Sequence, residues 1–284
     1  MHFFTTWREF LPNRLISKGM GWFTHLTWPW LRTWGIARFI RKYNVDMSIA
    51  AQEDITSYPH FDAFFTRALR AGARPIASEP DTLVYPADGF VSEFGSIQKG
   101  QLYQAKGHHY SLLELLANQS DWAKIFEQGQ FATLYLSPRD YHRVHMPETG
   151  ELLSMCYVPG HFFSVNGFAV ENIPHLFARN ERVIALFKTE RSHMAVILVG
   201  ALCVASIETA WAGIVAPPVL RKVQRTDYPA GYKTLARGDE VGRFHMGSTV
   251  IVLWSESEII WDDSMKKDAV TVMGQRIAIN PPLS

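Results

Sequence analysis

The chain has 284 residues, and its 28 Lys and Arg balance 27 Asp and Glu to a formal charge of only +1. This argues against nucleic acid or another polyanion as its main partner. The length buries a substantial core and suits one main domain with an appendage. Aromatics reach 13% with nine Trp, a high load whose placement matters.

Five of those nine Trp lie in the first 34 positions. Arg8, Glu9, Pro12 and Arg14 interrupt what would have to be the apolar core of a signal peptide. Through residue 43, Trp and other apolar residues alternate with Arg and Lys, and Pro12 and Pro29 divide the stretch into short helices. In the last of these, Ile36, Phe39, Ile40 and Tyr43 share one side, with Arg38, Arg41 and Lys42 toward the other. Trp with basic residues on an amphipathic helix suits the headgroup level of an anionic bilayer surface. A helical arm packed on the core or on a second subunit is the other reading of residues 1–43.

A second helix is expected from Ser57 to Leu69, with Ser57 as cap and Phe61, Phe64, Phe65 and Ala68 on one buried face. From Leu83 onward short strands alternate with Gly, Pro, Asp and Asn, with helical interludes at Ser111–Ala117 and Asp121–Gln128. The fold class expected is therefore α+β, a mostly antiparallel β core with peripheral helices and an N-terminal amphipathic helical arm. Residues 44–284 read as one folded unit without repeats or a long linker. Met194–Ile207, the longest charge-free apolar run, is too short to span a bilayer and reads as one or two core strands. Cys156 and Cys203, each among apolar neighbours, read as buried thiols in a reducing compartment.

Three segments carry candidate chemistry. Pro86-Ala87-Asp88-Gly89 puts an acid in a turn between apolar strands. Ser137–Pro147 holds His142 and His145 together with two Arg and one Asp. Gly247-Ser248 leads into a β-branched run, placing a hydroxyl at the mouth of a buried strand. Attack of Ser248 on the Gly247 carbonyl would turn the amide into an ester, and β-elimination would then cut the chain. The new end, dehydroalanine, loses its nitrogen as ammonia and becomes a pyruvoyl group. A serine so used needs a base, and a carboxylate commonly orients a histidine base, so Asp88, His145 and Ser248 make a triad. Two other readings stay open at this level. Asp88, His142 and His145 would serve a zinc-dependent hydrolase, or the Gly-Ser would be only a turn in a non-catalytic, membrane-tethered binding module.

Several motifs are specific. Phe64-Phe65-Thr66-Arg67, Gly72-Ala73-Arg74-Pro75, Pro86-Ala87-Asp88-Gly89, the block Arg139–Pro147, Tyr157-Val158-Pro159-Gly160, and Gly242-Arg243-Phe244 before Gly247-Ser248-Thr249 together resemble the bacterial phosphatidylserine decarboxylases. Met246 replaces the Leu usual in that family, a change of similar volume. The resemblance implies self-cleavage between Gly247 and Ser248 into a large chain (1–247) and a small one (248–284). It implies a pyruvoyl group made from Ser248 as the only cofactor, with no metal, and a Schiff base with phosphatidylserine on the way to phosphatidylethanolamine. It further assigns His145 as the base, Asp88 as its orienting group, His142 to decarboxylation or reprotonation, and Tyr135, Ser164 and Asn166 to the head group. Phosphatidylserine in the bilayer, the anionic membrane surface, the two chains of one precursor and a homodimer are the partners so implied. The implied location is peripheral, on the cytoplasmic face of the inner membrane.

Overall fold

The computed structural model describes residues 28–201, 206–218, 221–245 and 248–281. The first 27 residues of the arm, Cys203, Met246 and Gly247 lie outside them. Six helices occur among the described residues: α1 (Pro29–Tyr43), α2 (Phe61–Phe65), α3 (Leu112–Leu115), α4 (Ser120–Phe126), α5 (Gly167–Asn172) and α6 (Leu176–Arg179). The strands that build the site are β1 (Gly89–Ser96), β2 (Gln130–Leu136), β3 (Arg143–His145), β4 (Gly150–Val158), β5 (Arg182–Thr189), β6 (His193–Gly200), β7 (Ile207–Thr209), β8 (Glu240–Phe244) and β9 (Ser248–Trp254). With few helices and mostly antiparallel sheets, the molecule has the expected α+β class.

One large sheet runs β4-β5-β6-β9-β2-β1, with the short strands 224–227 and 234–235 on β4 and 270–271 on β1. All its pairings are antiparallel. β9 lies at its centre, between β2 and β6, and all seven of its residues are buried. A continuous apolar run without alternation is what a strand covered on both faces requires. A smaller antiparallel sheet joins β3, β8 and β7, ending in the strand 213–216. Its β8 ends at Phe244 and β9 begins at Ser248, so the chain passes from one sheet to the other just before Ser248.

Around α1 a second apolar cluster forms from Ile36, Val45, Tyr58 and Phe64, with Phe39, Ile40, Tyr43 and Phe61 packed on it. The apolar face of α1 is therefore turned inward onto the chain's own α2, and the large hydrophobic residues left exposed on the helix and its N-cap are Trp28, Trp30 and Trp34. No described helix is long and apolar enough to cross a membrane.

The helix expected over Ser57–Leu69 is shorter. Ile55–Ser57 is a 3-10 turn capped by Asp54, and α2 starts after His60, whose ring nitrogen accepts the Ala63 N–H. The Thr66 hydroxyl closes on the Asp62 carbonyl, and residues 68 and 70 then bond to 51 and 49. That pairing takes the backbone groups a longer helix would have used. The two interludes appear as α3 and α4, and the Met194–Ile207 run provides β6 and the start of β7. Cys156 is a buried free thiol, and its burial pushes it up to about 11, where it is inert.

Candidate active site

Ser248 opens β9, opposite Leu136 of β2 and Gly200 of β6. It is fully buried, and its Oγ has no hydrogen-bond partner among the described residues; the Thr249 hydroxyl beside it has none either. Buried hydroxyls are nearly always bonded, so two adjacent orphans at the start of β9 make this strand end a candidate for chemistry.

The Asp88 turn is pressed onto the same junction. A Cβ on Gly89 would stand 2.2 Å from the Tyr135 carbonyl oxygen, one residue from the Ser248 partner, so glycine alone fits there. The Pro86 carbonyl accepts the His145 N–H at 2.8 Å, fixing the turn beside β3. Asp88 itself is 7% exposed. Arg74 grips both its oxygens, with Nε at 3.0 and 3.1 Å and a terminal nitrogen at 2.6 Å, and the Met273 N–H adds a bond of 2.8 Å. The Gly-Ala-Arg-Pro segment thus supplies the fork that holds the acid.

His145 has both ring nitrogens engaged. Nδ1 lies 2.8 Å from the Gly238 carbonyl, an acceptor only, so Nδ1 carries the proton. Nε2 then accepts from the Tyr141 hydroxyl at 3.1 Å. Burial lowers its affinity for a proton, and the imidazole is neutral at neutral pH. Asp88 acts on His145 through its charge, which favours the imidazolium, while the direct bond to Nδ1 comes from Gly238.

His142 is completely buried. Its Nδ1 donates to the Asp140 carbonyl at 2.8 Å, leaving Nε2 as an acceptor with no described partner. Burial drives it down to about 3, so it stays neutral across the physiological range. The Phe64–Arg67 motif surrounds it. The Phe65 ring packs on the imidazole at 4.0 Å between centroids, the Thr66 carbonyl accepts from Arg143 at 2.9 Å, and Arg67 reaches the Arg139 carbonyl at 3.4 Å.

The head-group candidates divide. Tyr135 faces Thr249 across the β2–β9 ladder and Phe90 on its other side. Asn166 caps α5 through the Ala169 N–H at 2.9 Å, and its own N–H points to the Ser164 hydroxyl at 3.5 Å. The loop bearing them is tied to the junction by Asn180, whose amide donates to Phe163 and Gly200 carbonyls at 2.9 Å each and accepts the Phe163 N–H at 3.1 Å. Gly200 is the residue opposite Ser248. Asn180, Tyr141, Arg74 and Gly238 were not singled out from the sequence. Arg74 sits in a motif, but a backbone carbonyl such as that of Gly238 leaves no trace in residue identity.

A model of the phosphatidylserine decarboxylase family matches residues 61–279. The chain belongs to the phosphatidylserine decarboxylase family. A second family model, described as PSD, matches residues 3–44. Relatives within the family include the phosphatidylserine decarboxylase proenzyme of Ectopseudomonas mendocina, 52% identical over 268 residues and covering 93% of both chains. That of Pseudomonas aeruginosa strain LESB58 is 50% identical over 272 residues, 95% of this chain and 94% of the relative. That of Shewanella sediminis is 51% identical over 275 residues, 94% and 95%. Phosphatidylserine decarboxylase proenzymes thus align with nearly the whole chain, the Ser248 junction included. Among the described residues, no group of three or more His, Cys, Asp or Glu is arranged to hold a metal ion. Of the three residues a zinc site would use, Asp88 is held by Arg74, and His145 has both ring nitrogens engaged, by Gly238 and Tyr141.

Proposed function

We propose that this chain is a precursor that cuts itself between Gly247 and Ser248 and then decarboxylates phosphatidylserine to phosphatidylethanolamine. The observation that carries the reading is the buried, unpartnered Ser248 Oγ at the mouth of a fully buried strand, in a chain whose relatives are named as proenzymes.

In the cutting step, Ser248 Oγ attacks the Gly247 carbonyl and its proton passes to a base. His145 is neutral and carries its own proton on Nδ1, so Nε2 is the basic atom, reached through or in place of the Tyr141 hydroxyl. Asp88 supports the positive charge that His145 then acquires. Removal of the Ser248 α-proton expels the Gly247 carboxylate. Tautomerisation and hydrolysis of the new end release ammonia and leave a pyruvoyl group on the small chain, 248–284.

The site suits that group, because the Thr249 hydroxyl and His142 Nε2, which both survive cutting, are buried polar atoms without described partners. A pyruvoyl ketone supplies an electron sink for the pair released with carbon dioxide. In this reading His142 holds or returns a proton at Nε2, an atom that burial keeps unprotonated in the resting chain. Asn180 fixes the loop that presents Ser164 and Asn166, and Tyr135 flanks the same strand end; these bind the polar head group.

The substrate sits in a bilayer, and exposed Trp28, Trp30 and Trp34 on α1 support docking at the headgroup plane of an anionic, cytoplasmic membrane face. Ser248→Ala is expected to leave one intact chain with no release of carbon dioxide from phosphatidylserine vesicles. An S248A chain that still decarboxylates would overturn the reading.

A further inference from the structure

Three residues before Ser248, His245 sits between two carboxylates. Its Nδ1 is 2.9 and 2.8 Å from the oxygens of Asp62 on α2, and its Nε2 is 3.2 Å from Glu208 on β7. His245 is 8% exposed, and its backbone N–H is bonded to the Ser206 carbonyl at 3.1 Å. A carboxylate only accepts, so each ring nitrogen must carry a proton and the group is an imidazolium. The neutral ring has one N–H, and its second nitrogen would turn a lone pair toward a carboxylate.

The charges continue around the junction in alternation. Glu208 faces Arg243 at 3.7 Å, Arg243 bonds Glu240 at 2.9 Å, and Glu240 bonds Arg143 at 2.9 Å. Arg143 returns to α2 through the Thr66 carbonyl. The path from Asp62 through His245, Glu208, Arg243, Glu240 and Arg143 therefore closes on the helix where it began. It binds α2 to β7, β8 and β3, and it lies next to the segment that must be held for attack. A further tie, the Phe244 N–H on the His142 carbonyl at 3.1 Å, joins the same segment to the decarboxylation site.

We propose that His245 is a positioning residue for self-cleavage, an imidazolium clasp between Asp62 and Glu208 that holds the scissile segment and sets the alkaline limit of processing. The proposal rests on the self-cleavage reading above. Burial alone would push His245 down, but the bonds to Asp62 and Glu208 and their charges outweigh it, so the ring stays protonated above the ordinary histidine range. His145, pushed below that range, must be neutral to act. Processing then rises with pH as His145 loses its proton and falls at higher pH as His245 loses its own.

The test is the rate of cutting of the full chain, made by cell-free synthesis and followed on denaturing gels from pH 5 to 10. Wild type should give a bell. His245→Gln, which keeps one polar contact but no charge, should cut on the order of tenfold more slowly at neutral pH and lose the descending limb. His245→Lys, which keeps the charge to far higher pH, should restore the rate and also lack that limb. Asp62→Asn should move it to lower pH. A descending limb unchanged in both His245 variants, at wild-type rate, overturns the clasp. If His245→Gln does not fold, the His245→Lys profile alone decides, since an unshifted limb there is equally fatal. Fragment masses on the same samples test the cleavage reading separately: a cut elsewhere defeats that reading, whatever the profile.

Discussion

Phe65 and His142 form one buried unit, their ring centroids 4.0 Å apart with 42° between planes. Phe65 is 1% exposed and His142 fully enclosed, and this enclosure holds the imidazole down to about 3. Phe65→Ala should let water in and return His142 toward about 6.5, the ordinary histidine value, a change that a histidine NMR titration reads directly. It should also cost ~3–5 kcal/mol in denaturant unfolding. That stability is best compared in the uncut S248A background, so that one chain is unfolded in both cases.

His142→Ala separates the two reactions. His145 and Ser248 remain, so the precursor should still cut, while decarboxylation of phosphatidylserine falls by about 100-fold or more. Normal turnover in this variant would remove His142 from the mechanism.

Arg74 is what holds Asp88, through three contacts of 3.1 Å or less. Arg74→Met should leave a largely buried carboxylate with the Met273 N–H alone. Breaking such a pair costs ~3–5 kcal/mol, and cutting should slow with it. Unfolding in the S248A background and gel kinetics check the two effects.

The parts of the site differ in how legible they were, for physical reasons. β9 could be read because a strand covered on both faces must be apolar throughout, and Val250–Trp254 is. Asp88, His145 and Ser248 stood out as chemistry-bearing residues in unusual company, whereas the close approach of Gly89 to the Tyr135 carbonyl is visible only in the fold. The bonds that orient them were hidden. Gly238 holds His145 with a backbone oxygen, which any residue could supply. The direction of α1 was hidden as well, since periodicity shows that Ile36, Phe39 and Ile40 share a face without saying whether lipid or protein covers it. Here Phe61 and Phe64 of α2 cover it. The length of α2 was overestimated because the pairing of residues 68–70 with 49–51 is a tertiary choice.

That packing bears on how membrane docking is tested. Removing residues 1–43 would also uncover the cluster at Phe64, so substitution of the exposed Trp28, Trp30 and Trp34 by Ser is the cleaner change. The triple variant should fold, cut itself and bind anionic vesicles at least about tenfold more weakly in co-sedimentation. Unchanged co-sedimentation would place the membrane contact elsewhere.

Glu148 gives a pH signature independent of catalysis. Burial, with the charge of Glu256 second, pushes its carboxyl up from 4.5 to about 8. The folded state therefore binds this proton more tightly than the unfolded chain. Its contribution to stability is fully present below about 4.5 and is lost as pH rises through about 8. Glu148→Gln should remove the penalty, so its Tm relative to the parent should climb from pH 5 to pH 8 and level off above. A constant difference would mean that Glu148 is not protonated in the folded chain.

If Ser248 is consumed to make the catalytic group, the intact mass of the purified protein under denaturing conditions shows it. Two species are expected, one ending at Gly247 and one running from position 248 to 284 that is lighter than a Ser-started chain by one ammonia. A single uncut chain in a preparation that decarboxylates phosphatidylserine, or a small chain with an unmodified Ser terminus, would contradict it.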